Sequence, residues 1–402
     1  MTPDNSKPFT RRQALSAVAV AGAGTIAGCS QLPGFSSDPS PPERNIPADW
    51  HPQPGQWPMQ NYDYGNSRYN PFASPPRTSP STAWTYSVGG DPITSLIVAD
   101  EAVVARTGTG LTAVRKDGSL WWGKTRERPG VVQYLSGRLY DISRGSLAAL
   151  GVDGTERWST SVEYDRYQLL ERNGWIYLVS REQVLRLHAD TGEKIAPFDV
   201  AAYPPTTAGG PVYSGMSSVA AYDVSPDGFS QRWSVKPEGP YELYAAPVVG
   251  RNRLYRPERA LPGTDAPTGR VGIYDTQDGS RVGGVSFEQT PRTPAATETL
   301  VFIPTSTSTA RTVGQKGKFT AATYDGSVLW NDTPDVGLCP PVSSQETVYV
   351  GPVENKRGGL KAFDHATGRT LWERDVHSLS ALAIAGNRLY YSENGTVFAL
   401  KS

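Results

Sequence analysis

The chain has 402 residues, with 39 Lys and Arg balanced by 39 Asp and Glu, so no net field argues for nucleic acid as a partner. Gly (41) and Pro (34) approach one residue in five, against roughly 12% in an average protein. With 20 Tyr and 10 Trp, that composition turns away from helices toward many short strands joined by tight turns. No apolar run reaches the roughly 18 residues of a membrane helix, which excludes a multi-span membrane protein, and two cysteines, Cys29 and Cys339, are too few for a disulfide framework or a Cys-based zinc site.

The first segment reads as an address. Arg11 and Arg12 precede an Ala- and Gly-rich apolar stretch, and small residues lead to Cys29. Paired arginines before a short apolar region form a secretory signal. The arrangement resembles a twin-arginine lipoprotein signal, with a Sec signal or a plain signal anchor as the alternatives. The resemblance implies cleavage after residue 28 and acylation of Cys29, and two acyl chains suffice for stable anchoring. Residues 29–49 are rich in Pro and Ser, a composition expected to form an extended, unfolded tether. A lead-in of residues 50–80 follows.

From residue 81 onward one pattern returns: an apolar run with Ala, a tight turn, then Trp four residues beyond the turn glycine. Gly118 leads to Trp122, Gly154 to Trp158, Gly326 to Trp330 and Gly368 to Trp372, with Trp233 one residue further from Gly228. Ala196 and Gly283 stand at the equivalent place after Gly192 and Gly279. An Asp-Gly turn between apolar runs is a strong hairpin signal, because Gly supplies the positive φ of a primed turn. Each unit thus reads as four antiparallel strands. The anchor positions lie 36 to 50 residues apart, bracketing the ~40–50-residue period of propeller blades.

The two ends complement one another. Trp84 lies on an outer strand with no three strands before it, while the last 23 residues hold three strands and stop where the turn should come. Joining them closes the ring and removes exposed sheet edges. The expected fold is all-β, an eight-bladed β-propeller over residues 81–402, closed by strands from both termini.

These turns resemble the PQQ-like (pyrroloquinoline-quinone) repeat, and the lead-in from Trp57 to Pro71 is similar to the segment ahead of such propellers. The resemblance implies that Trp84, Trp122, Trp158, Trp233, Trp330 and Trp372 dock neighbouring blades, and that blades carrying Ala196 or Gly283 pack less well. It does not imply quinone binding. PQQ enzymes of this fold carry adjacent cysteines in a vicinal disulfide, a Ca²⁺ site and a catalytic Asp, and no such ligand can be assigned here; Cys339 reads as a buried small hydrophobe. His51, His188, His365 and His377 share no metal-ligand spacing, with His188 and His365 expected at exposed turns. No catalytic, cofactor or metal residue is nominated.

Three long connections of blades five to seven are expected to lie side by side on one face. They carry Arg256, Arg259 and Arg270, then Arg311, Lys316 and Lys318, then Lys356 and Arg357, for a net +5. Insertions on one face of a repeat protein often mark its binding face, and this one would suit an anionic surface polymer, lipid or acidic protein. The reading is a monomeric, non-catalytic, lipid-anchored extracytoplasmic scaffold for a protein or surface polymer, similar to the propeller lipoproteins of outer-membrane protein assembly. The alternative is a divergent PQQ-dependent dehydrogenase or an accessory subunit of a redox complex.

Overall fold

The computed structural model describes residues 42–402 except 127, 164–167, 181–182, 199–204, 208–209, 215–217, 226–227, 307–316, 353–356 and 378. Among the described residues there are strands and turns but no helix. Eight antiparallel sheets form eight blades. Blade one runs outward through Ile93–Val98, Ala102–Thr107, Gly110–Arg115 and Leu120–Thr125, and the six that follow repeat this meander. Blades five and six split their inner strand in two. Tyr241–Leu243 and Val248–Gly250 both pair with Arg253–Ala260, as Thr290–Pro291 and Ala295–Ala296 do with Leu300–Ser306. Blade eight takes three strands from the carboxyl end, and Ser81–Ser87 pairs with Thr396–Lys401 as its outer strand. The ring is closed as the two fragmentary ends require.

Middle strands sit between neighbouring sheets and are buried on both faces, as all six residues of Ala102–Thr107 are, so they read as continuous apolar runs. Outer strands have one wet face, and Glu156–Ser161 alternates accordingly. All eight anchor positions fall on outer strands. Each Trp faces a small residue across the ladder: Ala399 for Trp84, Ala113 for Trp122, Ala149 for Trp158, Ala221 for Trp233, Ala321 for Trp330 and Ala362 for Trp372. The ladder slips by one residue just before each of these Trp. Such a bulge re-aims the side chain that follows it.

The indoles are aimed at the next blade. Trp84 Nε1 donates to Lys116 O (2.9 Å), Trp122 to Val152 O (2.9 Å), Trp158 to Ala189 O (3.1 Å), Trp233 to Thr276 O (3.3 Å) and Trp330 to His365 O (2.8 Å). All five acceptors lie in the turn before the neighbour's outer strand. The turn glycine there has positive φ and no room for a side chain; a Cβ on Gly118 would lie 2.7 Å from Trp84, and one on Gly368 2.5 Å from Trp330. Blade eight has no such turn, because its outer strand comes from the other terminus. Pro76 O takes its place, accepting from Trp372 Nε1 at 2.8 Å.

Gly283 behaves differently from the expected loose contact. A Cβ there would lie 2.3 Å from Asp325 O, and one on Gly326 would lie 3.2 Å from the Gly284 backbone. Without an indole between them, blades five and six meet backbone to backbone.

Residues 42–49, read from composition as tether, are packed on the ring. Arg44 is the reason: its guanidinium pairs with the fully buried Glu171 and donates to Ser136 O (3.0 Å), while its N–H donates to Asp190 Oδ2 (3.0 Å). Ile46 is buried, and its carbonyl accepts from Asn173 N at 2.8 Å.

Candidate functional site

Residues 57–70 circle the axis once, meeting the inner strands in blade order. Trp57 exchanges backbone bonds with Val98 (both 2.8 Å), Pro58 O accepts from Tyr134 N (2.7 Å), and Tyr64 Oη accepts from Glu171 N (3.0 Å). Tyr64 O accepts from Thr207 N (2.8 Å), Gly65 O from Val249 N (2.8 Å) and Ser67 O from Ala296 N (2.9 Å). Arg68 O accepts from Ser343 N (2.9 Å), and Asn70 Nδ2 donates to Ile384 O (3.0 Å). Every blade is engaged at the carboxyl end of its inner strand. Turning within so small a circle puts Tyr62, Asn66 and Arg68 at φ of 78°, 54° and 52°. Such conformations are uncommon for residues other than glycine and persist where the surroundings over-determine them. The buried Arg68 guanidinium does so here, donating to Pro341 O, Pro340 O, Gln60 O and Asn61 Oδ1 at 2.5–3.1 Å.

This segment makes the ring a cup. Above it lies an axial cavity of about 490 Å³, floored by Met59–Asn66 and walled by inner strands of blades two to five. Its mouth is on the face of the second-to-third and blade-to-blade connections, where Pro129, Arg144 and Pro205 stand. Asp63 is the one carboxylate among the described residues of the lining. It accepts from Ser67 N (2.8 Å) and Ser67 Oγ (2.7 Å), and burial pushes its pKa up to about 6 against the opposing pull of those bonds. Three buried acceptors of the lining have no donor: Gln133 Oε1, Gln168 Oε1 and Thr207 Oγ1.

Other interior acids are neutralised in place. Glu171 has Arg44 and Tyr140 Oη (2.8 Å), Asp141 lies between Arg106 (2.8 Å) and Arg126 (2.6 Å), and Glu258 between Arg256 and Arg270. Removing one partner of such a pair would leave an uncompensated buried charge, so each acid and its arginines act as a structural unit.

The basic connections are therefore smaller than expected. The segment from Arg256 to Arg270 begins and ends in strand, within Arg253–Ala260 and Gly269–Asp275, so the connection itself is 261–268. Arg256 and Arg270 are buried on Glu258, and the Arg270 guanidinium stacks on Tyr241 at 3.9 Å. Arg259 is exposed but paired with Glu242. Arg256 and Arg270 thus belong to the interior rather than to a binding face, because an alternating strand puts residues two apart on one side, where Glu258 meets both arginines. Lys318 is half-buried beside Thr305, and Arg357 opens a strand. Arg311, Lys316 and Lys356 lie outside the described residues, as do Arg11, Arg12 and Cys29.

His188 and His365 were expected at the surface, yet both are buried. His365 Nε2 is 2.9 Å from Ser343 Oγ, and burial lowers its pKa to about 4. Ser343 has no solvent exposure, so this Ser–His contact cannot receive a substrate. Cys339 is buried and unpaired, its thiol pushed up by burial and its N–H donating to Gly351 O at 3.0 Å. Among the described residues no three His, Cys, Asp or Glu are grouped to hold a metal, and no helix is long and apolar enough to cross a membrane. Sequence reading singled out the lead-in by resemblance but missed its role: its Tyr-Asp-Tyr-Gly-Asn-Ser-Arg run carries Asp63, Tyr64 and Asn66 into the floor of the cavity.

The architecture defines a PQQ-type eight-bladed propeller with a sealed axis. The family described as outer membrane protein assembly factor BamB matches residues 267–402, from the end of blade five through blade eight. BamB from Moraxella catarrhalis is 16% identical, with 81% of this chain and 100% of that one covered at a TM-score of 0.60. The computationally designed Ika8 protein is 14% identical over 80% of this chain and 99% of its own (TM-score 0.63). The quinohemoprotein alcohol dehydrogenase of Comamonas testosteroni is 14% identical over 86% and 80% (TM-score 0.59). No curated protein matches the sequence. At these identities the solved structures share the fold.

Proposed function

We propose that the chain is a non-catalytic, extracytoplasmic propeller scaffold, acylated on Cys29, that binds a protein partner on its open, loop-bearing face. The observation that carries the reading is the commitment of the interior acids: Glu171, Asp141 and Glu258 each hold arginines that join elements of the ring. Asp63 of the cavity lining already holds Ser67, and among the described residues no second carboxylate or histidine of the lining stands beside it to share acid–base work. The quinone and Ca²⁺ of the alternative reading are less well supported, since Cys339 is unpaired and, among the described residues, no three His, Cys, Asp or Glu are grouped to hold a metal. The partial match to an outer-membrane assembly factor supports a role in binding rather than turnover.

The test uses the full chain with its own signal in a homologous membrane system. A photo-crosslinking residue is placed at Thr264 or Lys318 on the open face, and at Asp117 or Asp153 on the sealed face. The expected result is a discrete protein adduct from the open face alone, with Cys29→Ser releasing the chain from the membrane. Equal labelling from both faces, or dye reduction after addition of PQQ and Ca²⁺, would overturn it.

A further inference from the structure

We propose that the sealed face is a membrane-docking surface that sets exposed apolar side chains into the headgroup region of a lipid bilayer. The proposal rests on the acylation of Cys29 put forward above and turns that point of attachment into an orientation. Among the described residues seven large apolar side chains are exposed, and six of them belong to the sealed face and its rim. Leu120, Val282, Val328 and Leu329 lie within the first two residues of outer strands, just past sealed-face turns, and Tyr324 lies in such a turn. Phe72 follows the lead-in, two residues before Ser74 N donates to Gly386 O in the first turn of blade eight (2.7 Å). Leu261 alone stands on a loop-bearing connection. Exposed apolar side chains gathered on one face mark an interaction surface.

The amino-terminal segment says what covers that face. Arg44 donates to Ser136 O (3.0 Å) and to Asp190 Oδ2 (3.0 Å), and Ile46 O accepts from Asn173 N (2.8 Å). All three partners lie in sealed-face turns of blades two and three. Pro42 packs on the Gly174 turn beside them, so the chain leaves the ring on this side. Thirteen residues separate Cys29 from Pro42, a reach of at most roughly 45 Å at ~3.3–3.6 Å per residue, which holds the sealed face close to the acylated end. The seam of blades five and six has the chemistry of a bilayer interface. Val282 and Tyr324 flank the backbone contact of Gly283 with Asp325, and the exposed Arg251 guanidinium lies 4.9 Å over the Tyr324 ring. An amphipathic aromatic with an arginine that can reach upward to phosphate suits the level where apolar and wet regions meet. The same turns expose Asp117, Asp153, Asp278 and Asp325, so apolar insertion rather than attraction to anionic lipid drives the docking.

Two measurements on the full chain test the proposal. The Cys29→Ser chain carries no acyl group and reports on the face alone. It should sediment with phosphatidylcholine vesicles, and go on doing so in about 0.5 M NaCl, where charge attraction is screened. Val328→Thr with Leu329→Gln should weaken that partitioning tenfold or more, whereas Leu261→Gln should leave it unchanged. Both exposed positions tolerate polar residues, so the melting temperature of the double variant should hold, which separates loss of docking from loss of fold. In the acylated chain, a fluorophore on Gln277→Cys should be quenched by lipids carrying a nitroxide headgroup, and one on Thr264→Cys of the open face should not. No vesicle binding by the Cys29→Ser chain would overturn the proposal, as would binding that the double variant retains or that high salt abolishes. Self-association lost in the double variant, without vesicle binding, would assign the patch to a second copy instead. Equal quenching of the two labels on an acylated chain would refute the orientation and leave the anchor standing. Absence of acylation would refute the anchor alone, since the Cys29→Ser chain tests the face without it.

Discussion

Restoring the missing aromatic at position 283 should destabilise the protein. By repeat consensus Gly283→Trp is a repair, since outer strands of six blades carry Trp at this place. The structure predicts the reverse. A Cβ on Gly283 would come to 2.3 Å from Asp325 O, more than an ångström inside an ordinary contact of ~3.4–4 Å. Asp325 cannot easily yield, because its turn is tied by Asp325 Oδ1 to Ser327 N (3.1 Å) and by Thr323 Oγ1 to Ser327 O (3.2 Å). Strand and turn must separate, and overpacking of this kind costs about 1–3 kcal/mol. At the ~2–4 °C per kcal/mol of a 150–250-residue domain, with a larger ring at the low end, Gly283→Ala should lower Tm by roughly 2–6 °C.

Gly283→Trp should do at least as much, since the indole has no slot between backbones already in contact. Gly108→Ala serves as the control: its Cβ meets nothing within 4 Å and its φ is not positive, so it should be neutral or stabilise by up to ~1 kcal/mol. Thermal denaturation followed by near-ultraviolet circular dichroism reads all three. A rise in Tm for Gly283→Trp would show that blades five and six are held apart and that the backbone contact is not what joins them.

Two further outcomes follow from buried groups. Trp330→Ala removes an indole that stacks on Phe363 at 5.8 Å and bonds His365 O at 2.8 Å, so it should cost about 3–5 kcal/mol in urea unfolding; a loss below 1 kcal/mol would refute a docking role. His365 and Asp63 should give opposite pH slopes. The His365 pKa falls from 6.5 to about 4 on folding, so its contribution is full above pH 6.5 and is lost on acidification toward 4, on the order of 3 kcal/mol. The Asp63 pKa rises from 3.8 to about 6, so its contribution is present below 3.8 and lost as pH climbs through 6. His365→Gln should therefore make stability rise on acidification between pH 6 and 4 relative to the parent, and Asp63→Asn should make it fall more steeply. Parallel urea midpoints across that window would remove both assignments.

Blade number and ring closure were legible because their signals are local and repeated. A turn glycine and a Trp four residues on are set by one hairpin, and seven such turns reinforce one another even where Trp233 comes one residue late and Ala196 and Gly283 depart. The alanine opposite each Trp was visible as part of the apolar run, but the bulge that aims the indole was not, since it depends on pairing register. Charges were misread for a different reason. Arg256 and Arg270 look like loop residues by composition, yet Arg256 and Glu258 alternate on one side of a strand, and that spacing was the available sign of a buried pair. His188 and His365 sit beside turns as expected, but the Trp of the preceding blade covers those turns. Arg44 illustrates the hardest case: its partner Glu171 is 127 residues away, and nothing in a Pro-rich stretch announces it.

The lead-in explains how a ring of repeats becomes one cooperative body with one open end. Repeats that touch only their neighbours behave as a one-dimensional array, and the paired termini of blade eight would only join that array into a circle. The segment from Trp57 to Asn70 adds a second connection, to every blade at once. It occupies backbone groups at Val98, Tyr134, Glu171, Thr207, Val249, Ala296, Ser343 and Ile384 that would otherwise face the narrow end of the channel. Separating any two blades then means breaking bonds to a common hub, and the uncommon backbone at Tyr62, Asn66 and Arg68 is the conformational cost of following so tight a circle. The same circle decides access. With the lead-in bound across the carboxyl ends of the inner strands, the cavity walled by blades two to five opens on the loop-bearing face, where Pro129, Arg144 and Pro205 stand.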